Sequence, residues 1–576
     1  MPTWLRQPAV LVVLALAALS LPPAVAQAAA PPAWQQTGPL TAARVGGTVV
    51  ALPDGRVLVA GGYPNNPGNT HASAELYDPA TGSWTATGSM AAPRYDGRGV
   101  LLKDGRVLVA GGRTTSTAPL ASAELYDPVT GTWSAAAPMS VARYGHSATL
   151  LSDGSVLVAG GWADTAPPTV HATAERYDPA TGAWAPAGSL PSPHASHAAT
   201  ALPDGSVIVS GGSASEFTRT ADVARYSPAT GLWTAFAPLP RPRGEHTALL
   251  LDDGALLVVG GQGPGGADGA LLRLDPGTGS WNQLPLATLF GITPAARQLA
   301  SGAVLVVNGS FATLFDPRSG QLAAAGTPPL NGSVGSLVGL SDGDILLVSG
   351  AYLGQVAARF TPRATVAVAP VDAGEQTTGR RGTLISVPVT VTGDVPIFPR
   401  ATTLEGVGAA DFEIVSDSCD GAALERGGSC FVGLRFSPRA DGARSASLVL
   451  SAGELAGGRK VVALSGTGVA AAVTPPPAAP IIPPGAPPAA VVPRQVARRA
   501  TEPRLRCGAR RGRTVVCSGL PHRLGSGKAR LSRNGIVHAT GTLKNGRLTL
   551  TVRRRLYDRR YTLVVGGRRA IKVVLD

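Results

Sequence analysis

One unit recurs along most of this chain. It is an Asp-Gly turn, a short apolar run and a pair of glycines. Asp54-Gly55 leads through Val57-Leu58-Val59-Ala60 to Gly61-Gly62, and the pattern returns from Asp104-Gly105, Asp153-Gly154, Asp204-Gly205 and Asp253-Gly254. Weaker copies start at Ser301-Gly302 and Asp342-Gly343. The turn glycines fall at 55, 105, 154, 205, 254, 302 and 343, a period near 50 residues. Asp-Gly between apolar runs is a strong hairpin signal, because glycine tolerates positive φ. The run that follows is short enough for a buried strand, and the glycine pair ends it where side chains would crowd a neighbour. A third strand, Ala74-Glu75-Leu76-Tyr77-Asp78, stops at Pro79. A fourth carries a tryptophan, Trp84, Trp133, Trp184, Trp233 or Trp281, seven residues after the third strand's Tyr77, Tyr126, Tyr177, Tyr226 or Leu274. Four strands per unit make one propeller blade.

The glycine pair, Tyr and Trp at this period resemble the kelch repeat family over Trp34 to Pro362, with five good copies and two degenerate ones. The resemblance implies an all-β fold, a seven-bladed kelch β-propeller over 34–362. Ring closure is legible too. No Trp follows the seventh third strand, Phe360-Thr361-Pro362, whereas an orphan Trp34 stands ten residues before Arg44, as Trp84 stands before Arg94. The outer strand of the last blade is therefore expected from the N-terminus, which removes an open edge. A six-bladed ring is the alternative.

Around the propeller the chain is modular. Residues 1–28 read as a signal peptide: Arg6, an apolar run from Val10 to Leu21, and small-x-small sites at Ala24-Val25-Ala26 and Ala26-Gln27-Ala28. A membrane anchor is the other reading, but the run falls short of the ~20 residues a bilayer needs. An extracellular location, secreted or at the cell surface, is expected. Residues 365–470 show alternating strands of a β-sandwich. Asp411-Phe412, Cys419, Gly428-Ser429-Cys430, Phe436-Ser437-Pro438 and Leu464 to Gly468 resemble the Hydin-like, choice-of-anchor immunoglobulin-type (Ig-like) domains. That resemblance implies a presentation module without catalysis. A Pro-rich linker at 471–496 precedes a small C-terminal β domain at 497–576. Residues 501–576 hold 19 Lys+Arg against 3 Asp+Glu, net +16, in a chain whose total is +14. The basic charge thus belongs to one module. Its expected partner is an anionic wall or membrane surface; export and the lack of a binding motif argue against nucleic acid, and simple solubility is the plainer reading. The four cysteines form two close pairs, Cys419 with Cys430 and Cys507 with Cys517, without zinc spacing. Two local disulfides follow in an exported chain.

No catalytic residues, metal site or cofactor emerge. Galactose oxidase, a kelch-type enzyme, needs a Tyr–Cys crosslink beside copper, and no cysteine precedes Cys419. The sialidase Asp box does not match Asp78 to Trp84, and GxSxG, HExxH and P-loop motifs are absent. One repeat position stands out. Eleven residues before the hairpin glycine lie Arg44, Arg94, Arg143, His194, Arg243, Gly291 and Gly332. The first five are expected as an incomplete cationic ring near one mouth, contacting a protein or glycan ligand, with acidic ones preferred. The competing reading makes them scaffold residues. The loops after the glycine pairs, 63–71 and 162–171 among them, vary in length as a binding face would. The function expected is ligand binding; a carbohydrate-active or oxidative enzyme and a matrix protein are the alternatives.

Overall fold

The computed structural model describes residues 33–471 apart from 65–66, 115–117, 164–167, 285–292, 310, 330–334 and 350–355, together with the strand backbones between 504 and 575. The expected signal segment, Gly291 and Gly332 lie outside the described residues.

Each hairpin is built at its Asp-Gly turn. Gly55 has φ +87°, and the Arg56 amide donates to the Asp54 carboxylate at 3.0 Å. The turn joins an inner strand, Thr48–Ala51, to a fully buried second strand, Val57–Ala60. The third strand, Ala74–Asp78, pairs with the second, and the outer strand, Ser83–Thr87, with the third. Tyr77 and Trp84 face each other in that register, ring centroids 5.1 Å apart. The Trp indole serves as a link between sheets: Trp133 donates to Gly88 O, Trp184 to Ala137 O and Trp233 to Ala187 O.

Among the described residues there are seven such four-stranded antiparallel sheets between Trp34 and Phe360. Their inner strands neighbour one another in a cycle, and Ser336–Gly339 returns to Thr48–Ala51. The last sheet takes its outer strand, Trp34–Gln36, from the N-terminal side, paired with Ala357–Phe360. Trp34 stacks on Phe360 at 4.9 Å and donates to Ala325 O at 2.8 Å, which repeats the role of the other tryptophans. Trp34→Ala should therefore lower stability by about 3–5 kcal/mol, the usual cost of emptying a buried aromatic site. Urea unfolding measures it, with light scattering to follow the freed edge. An unchanged midpoint without added aggregation would contradict this closure.

The glycine pair works between sheets. A Cβ on Gly61 would lie 2.2 Å from Arg94 O in the next sheet, and one on Gly62 2.7 Å from the Arg44 carbonyl carbon. The Gly62 amide also donates to Arg94 O at 2.8 Å. No side chain fits where these backbones meet.

Residues 366–469 form two further four-stranded sheets. Val387, Val389, Phe412, Val432, Leu434, Phe436, Leu448 and Leu464 fill the core, and Cys419 is disulfide-bonded to Cys430. That core runs on without a break into Leu305, Leu314 and Phe360 of the last two propeller sheets. The Ala364 amide donates to Glu454 O at 2.7 Å, and the Ala324 amide to the Glu425 carboxylate at 2.7 Å. Burial holds the Glu454 carboxyl above the usual carboxylate range.

The second unit spans 474–576 and contains a closed barrel of seven strands among its described residues. Cys507 and Cys517 are register partners on Arg504–Ala509 and Thr514–Ser518. The bond expected between them rests on side chains outside the described residues. No helix among the described residues is long and apolar enough to cross a membrane.

A candidate ligand-binding mouth

The expected cationic ring is not at the mouth. Arg44, Arg94, Arg143, His194 and Arg243 are all buried, none more than 4% exposed. Each points into its own sheet and donates to the first carbonyl of the glycine pair: Arg44 to Gly61 O, Arg94 to Gly111 O, Arg143 to Gly160 O and Arg243 to Gly260 O. The His194 ring bonds Gly211 O at 2.7 Å. A carboxylate on the third strand completes the latch, Glu75 for Arg44, Glu124 for Arg94 and Glu175 for Arg143, at 2.6–2.9 Å. These carboxylates also accept backbone amides from the entering loop, Thr41 on Glu75 and Ser140 on Glu175. The variation is coupled. Where the base is His194, the partner position is Ala224. Where it is Leu272, Arg243 finds Asp268 at 2.8 Å. A guanidinium buried within its own sheet, its Nη groups taken by that sheet, is out of a ligand's reach, so this position is scaffold.

What faces the mouth sits one and two residues further along. The residue after each latch bridges to the residue after the glycine pair: Val45 with Tyr63, Tyr95 with Arg113, Tyr144 with Trp162, Ala195 with Ser213 and Gly244 with Gln262. Three neighbouring sheets thereby build a continuous rail. Tyr63 meets Tyr95 edge-on at 4.8 Å. The Arg113 guanidinium lies between Tyr95, at 4.7 Å, and Tyr144, at 4.1 Å. Tyr144 and Trp162 run nearly parallel at 6.5 Å. Stacking on a cation from both faces fixes the rail's geometry.

The second residue after the latch adopts a left-handed conformation. Glycine occupies it at Gly46 and Gly145, but Asp96, Ser196 and Glu245 hold φ of 54°, 50° and 57°. Non-glycine residues there carry strain that clusters at functional sites. All three line a central cavity of about 880 Å³, together with Arg98, Arg113, Tyr144, Trp162, His197 and His246. Asp96 pairs with Arg113 and Glu245 with Arg219, both at 3.0 Å. His197 bonds Ser147 Oγ and His246 bonds Ser210 Oγ, each at 2.9 Å. Burial, with nearby His194 and Arg98, drives the His197 pKa far down; burial and Arg243 bring His246 to about 3. Both rings are neutral at physiological pH. Crevices also open between sheets on the Asp-Gly face, but they recur, lined by Asp153 and Arg176 in one and Asp204 and Arg225 in the next. They belong to the repeat; the mouth does not.

Residues 46–239 match the family model for the KLHDC2/KLHL20/DRC7 Kelch-repeats domain. Over those residues the chain is similar to kelch-repeat domains, which agrees with the ring of four-stranded sheets. Two solved structures are among those that match. The structure of YjhT has 17% identity and a TM-score of 0.40, covering 50% of this chain and 99% of its own. A fungal alcohol oxidase of the AA5 family, in complex with copper, has 16% identity and a TM-score of 0.47, covering 75% of this chain and 99% of its own. No curated protein matches. Among the described residues no three His, Cys, Asp or Glu side chains gather as a metal-binding group. Of the propeller histidines, His197 and His246 bond serine hydroxyls, His194 bonds Gly211 O and His171 bonds Ala142 O.

Proposed function

We propose that this is an exported, surface-associated protein whose seven-bladed kelch propeller binds a glycan at the loop-built mouth, without catalysis. The observation that carries this reading is the Tyr95–Arg113–Tyr144–Trp162 rail beside a cavity edged by Asp96 and Glu245. A sugar ring has an apolar face of C–H groups and a rim of hydroxyls. Flat aromatic surface beside fixed acceptors suits both. Both carboxylates are tied into ion pairs, which suits a role in orientation more than in proton transfer. The domain at 365–470 is taken as an Ig-like choice-of-anchor module, and the basic C-terminal barrel as the part that would meet an anionic wall or membrane surface.

A glycan array probed with the full chain and with Tyr144→Ala/Trp162→Ala tests the mouth. The wild type should give a defined set of signals that the variant loses, while its melting temperature stays within a few degrees. Equal array profiles for the two proteins would overturn the reading.

A further inference from the structure

The inner strands of the seven sheets share a register, so their residues can be compared position by position. The first residue is small in six of them: Thr48, Ser147, Ala198, Thr247, Ala295 and Ser336. In the remaining sheet it is Arg98. The third residue is Val50, Val100, Thr149, Thr200, Leu249 or Val338, and in one sheet Arg297. Two cations thus break the repeat on the inner strands.

Scaffold cations in this propeller come with counter-charges. The latch arginines have Glu or Asp, and Arg176, Arg225 and Arg273 on the third strands pair with Asp153, Asp204 and Asp253. Arg98 and Arg297 have no ion pair among the described residues. Arg98 lines the cavity, and its Nε donates to His146 O at 2.9 Å, which orients the guanidinium and leaves both Nη groups without a partner among the described residues. The Arg297 side chain makes no hydrogen bond among the described residues. Its guanidinium lies on bare backbone at Gly339, where a Cβ would stand 2.5 Å from Nη2. Desolvation alone depresses its pKa, with no carboxylate acting in the other direction. The residues just before it, Ala295 and Ala296, line the same cavity.

The cavity's own acids cannot neutralise these charges, since Asp96 is taken by Arg113 and Glu245 by Arg219. Its histidines are neutral. A positive charge that the fold neither repeats nor compensates is available to a ligand, and a guanidinium presents a fork of donors matched to an oxyanion.

We propose that the central channel holds an anion-binding position. Arg98 is its direct contact, and Arg297, two residues further along its strand, is the second positive charge. The group it takes is a carboxylate, sulfate or phosphate on a ligand whose remainder lies along the aromatic rail. The location of that remainder rests on the function proposed above, whereas the anion position itself does not.

Calorimetric titration of the full chain tests this with four probes: glucose, glucuronate, inorganic sulfate and inorganic phosphate. Wild type should bind glucuronate at least about tenfold more tightly than glucose, with affinity falling as salt rises. Sulfate or phosphate should compete with it; the stronger competitor identifies the oxyanion geometry preferred. Arg98→Gln, which can still donate to His146 O, should abolish the preference at an unchanged melting temperature, and Arg297→Ala should reduce it several-fold. Glucose and glucuronate binding equally would overturn the anion position and leave the rail standing. Sulfate binding that depends on Arg98, with no binding of either sugar, would uphold the anion position and count against the rail. A full preference retained in Arg98→Gln, or no binding of any probe, overturns the proposal.

Discussion

Arg143→Ala should destabilise the propeller by about 3–5 kcal/mol, because it strands the buried Glu175 carboxylate and leaves Gly160 O and Thr173 O without their donor. Adding Arg94→Ala repeats the damage in the preceding sheet, where Glu124 loses its partner. The double variant should be largely unfolded at 37 °C, as read by circular dichroism. A sharper form of the test copies what the protein does itself. The sheet that uses His194 carries Ala224 at the carboxylate position. Arg143→His with Glu175→Ala should therefore recover at least half of the stability lost in Arg143→Ala. A double alanine variant that melts like the wild type would return these arginines to the list of ligand contacts.

Acid should weaken the propeller well before its carboxylates titrate. His146, His197 and His246 are buried in successive sheets and face only positive or neutral titratable neighbours: Arg98 and Arg143 around His146, His194 and Arg98 around His197, Arg243 beside His246. Their folded pKa values lie well below the ordinary histidine value of 6.5, that of His246 at about 3. Above pH 6.5 folded and unfolded chains are both neutral at these sites. As pH falls below 6.5, the unfolded chain takes up protons that the folded chain cannot, so stability present at neutral pH is lost. Each histidine contributes about 1.4 kcal/mol per pH unit, and three together about 4 kcal/mol per unit. The urea midpoint should drop steeply between pH 7 and 5.5, and His246→Asn should flatten that slope. Equal midpoints at the two pH values would contradict the buried neutral state.

The repeat was legible because its strongest signals are backbone requirements. Gly55, Gly61 and Gly62 sit where φ is positive or where a Cβ would collide, and no other residue serves there equally well. The strand donated by Trp34 could be read from spacing alone, since Tyr77 to Trp84 and Phe360 to Trp34 fill the same register. The Arg44 position misled because sequence gives a repeat position and not a side-chain direction. A long guanidinium at a loop can turn outward or inward, and the deciding partner, Glu75, lies on another strand. The sign was present nonetheless: Glu75, Glu124 and Glu175 accompany arginine, and Ala224 accompanies His194. The rail stayed hidden for a related reason. Tyr144 and Trp162 meet only because the loops at the two ends of the inner hairpin bridge each other. Arg98 and Arg297 were visible as exceptions within the repeat, but their lack of counter-charge is a property of the packed structure.

The central claim is that ligand sits in the mouth, and a crystal structure of the full chain with the tightest glycan from the array tests it most directly. The sugar should lie against Tyr144 and Trp162, with its hydroxyls within hydrogen-bond reach of Asp96 or Glu245 and any acidic group turned toward Arg98. A ligand found in the crevices of the Asp-Gly face, beside Asp153 and Arg176, or on the sandwich at 366–469, would contradict it.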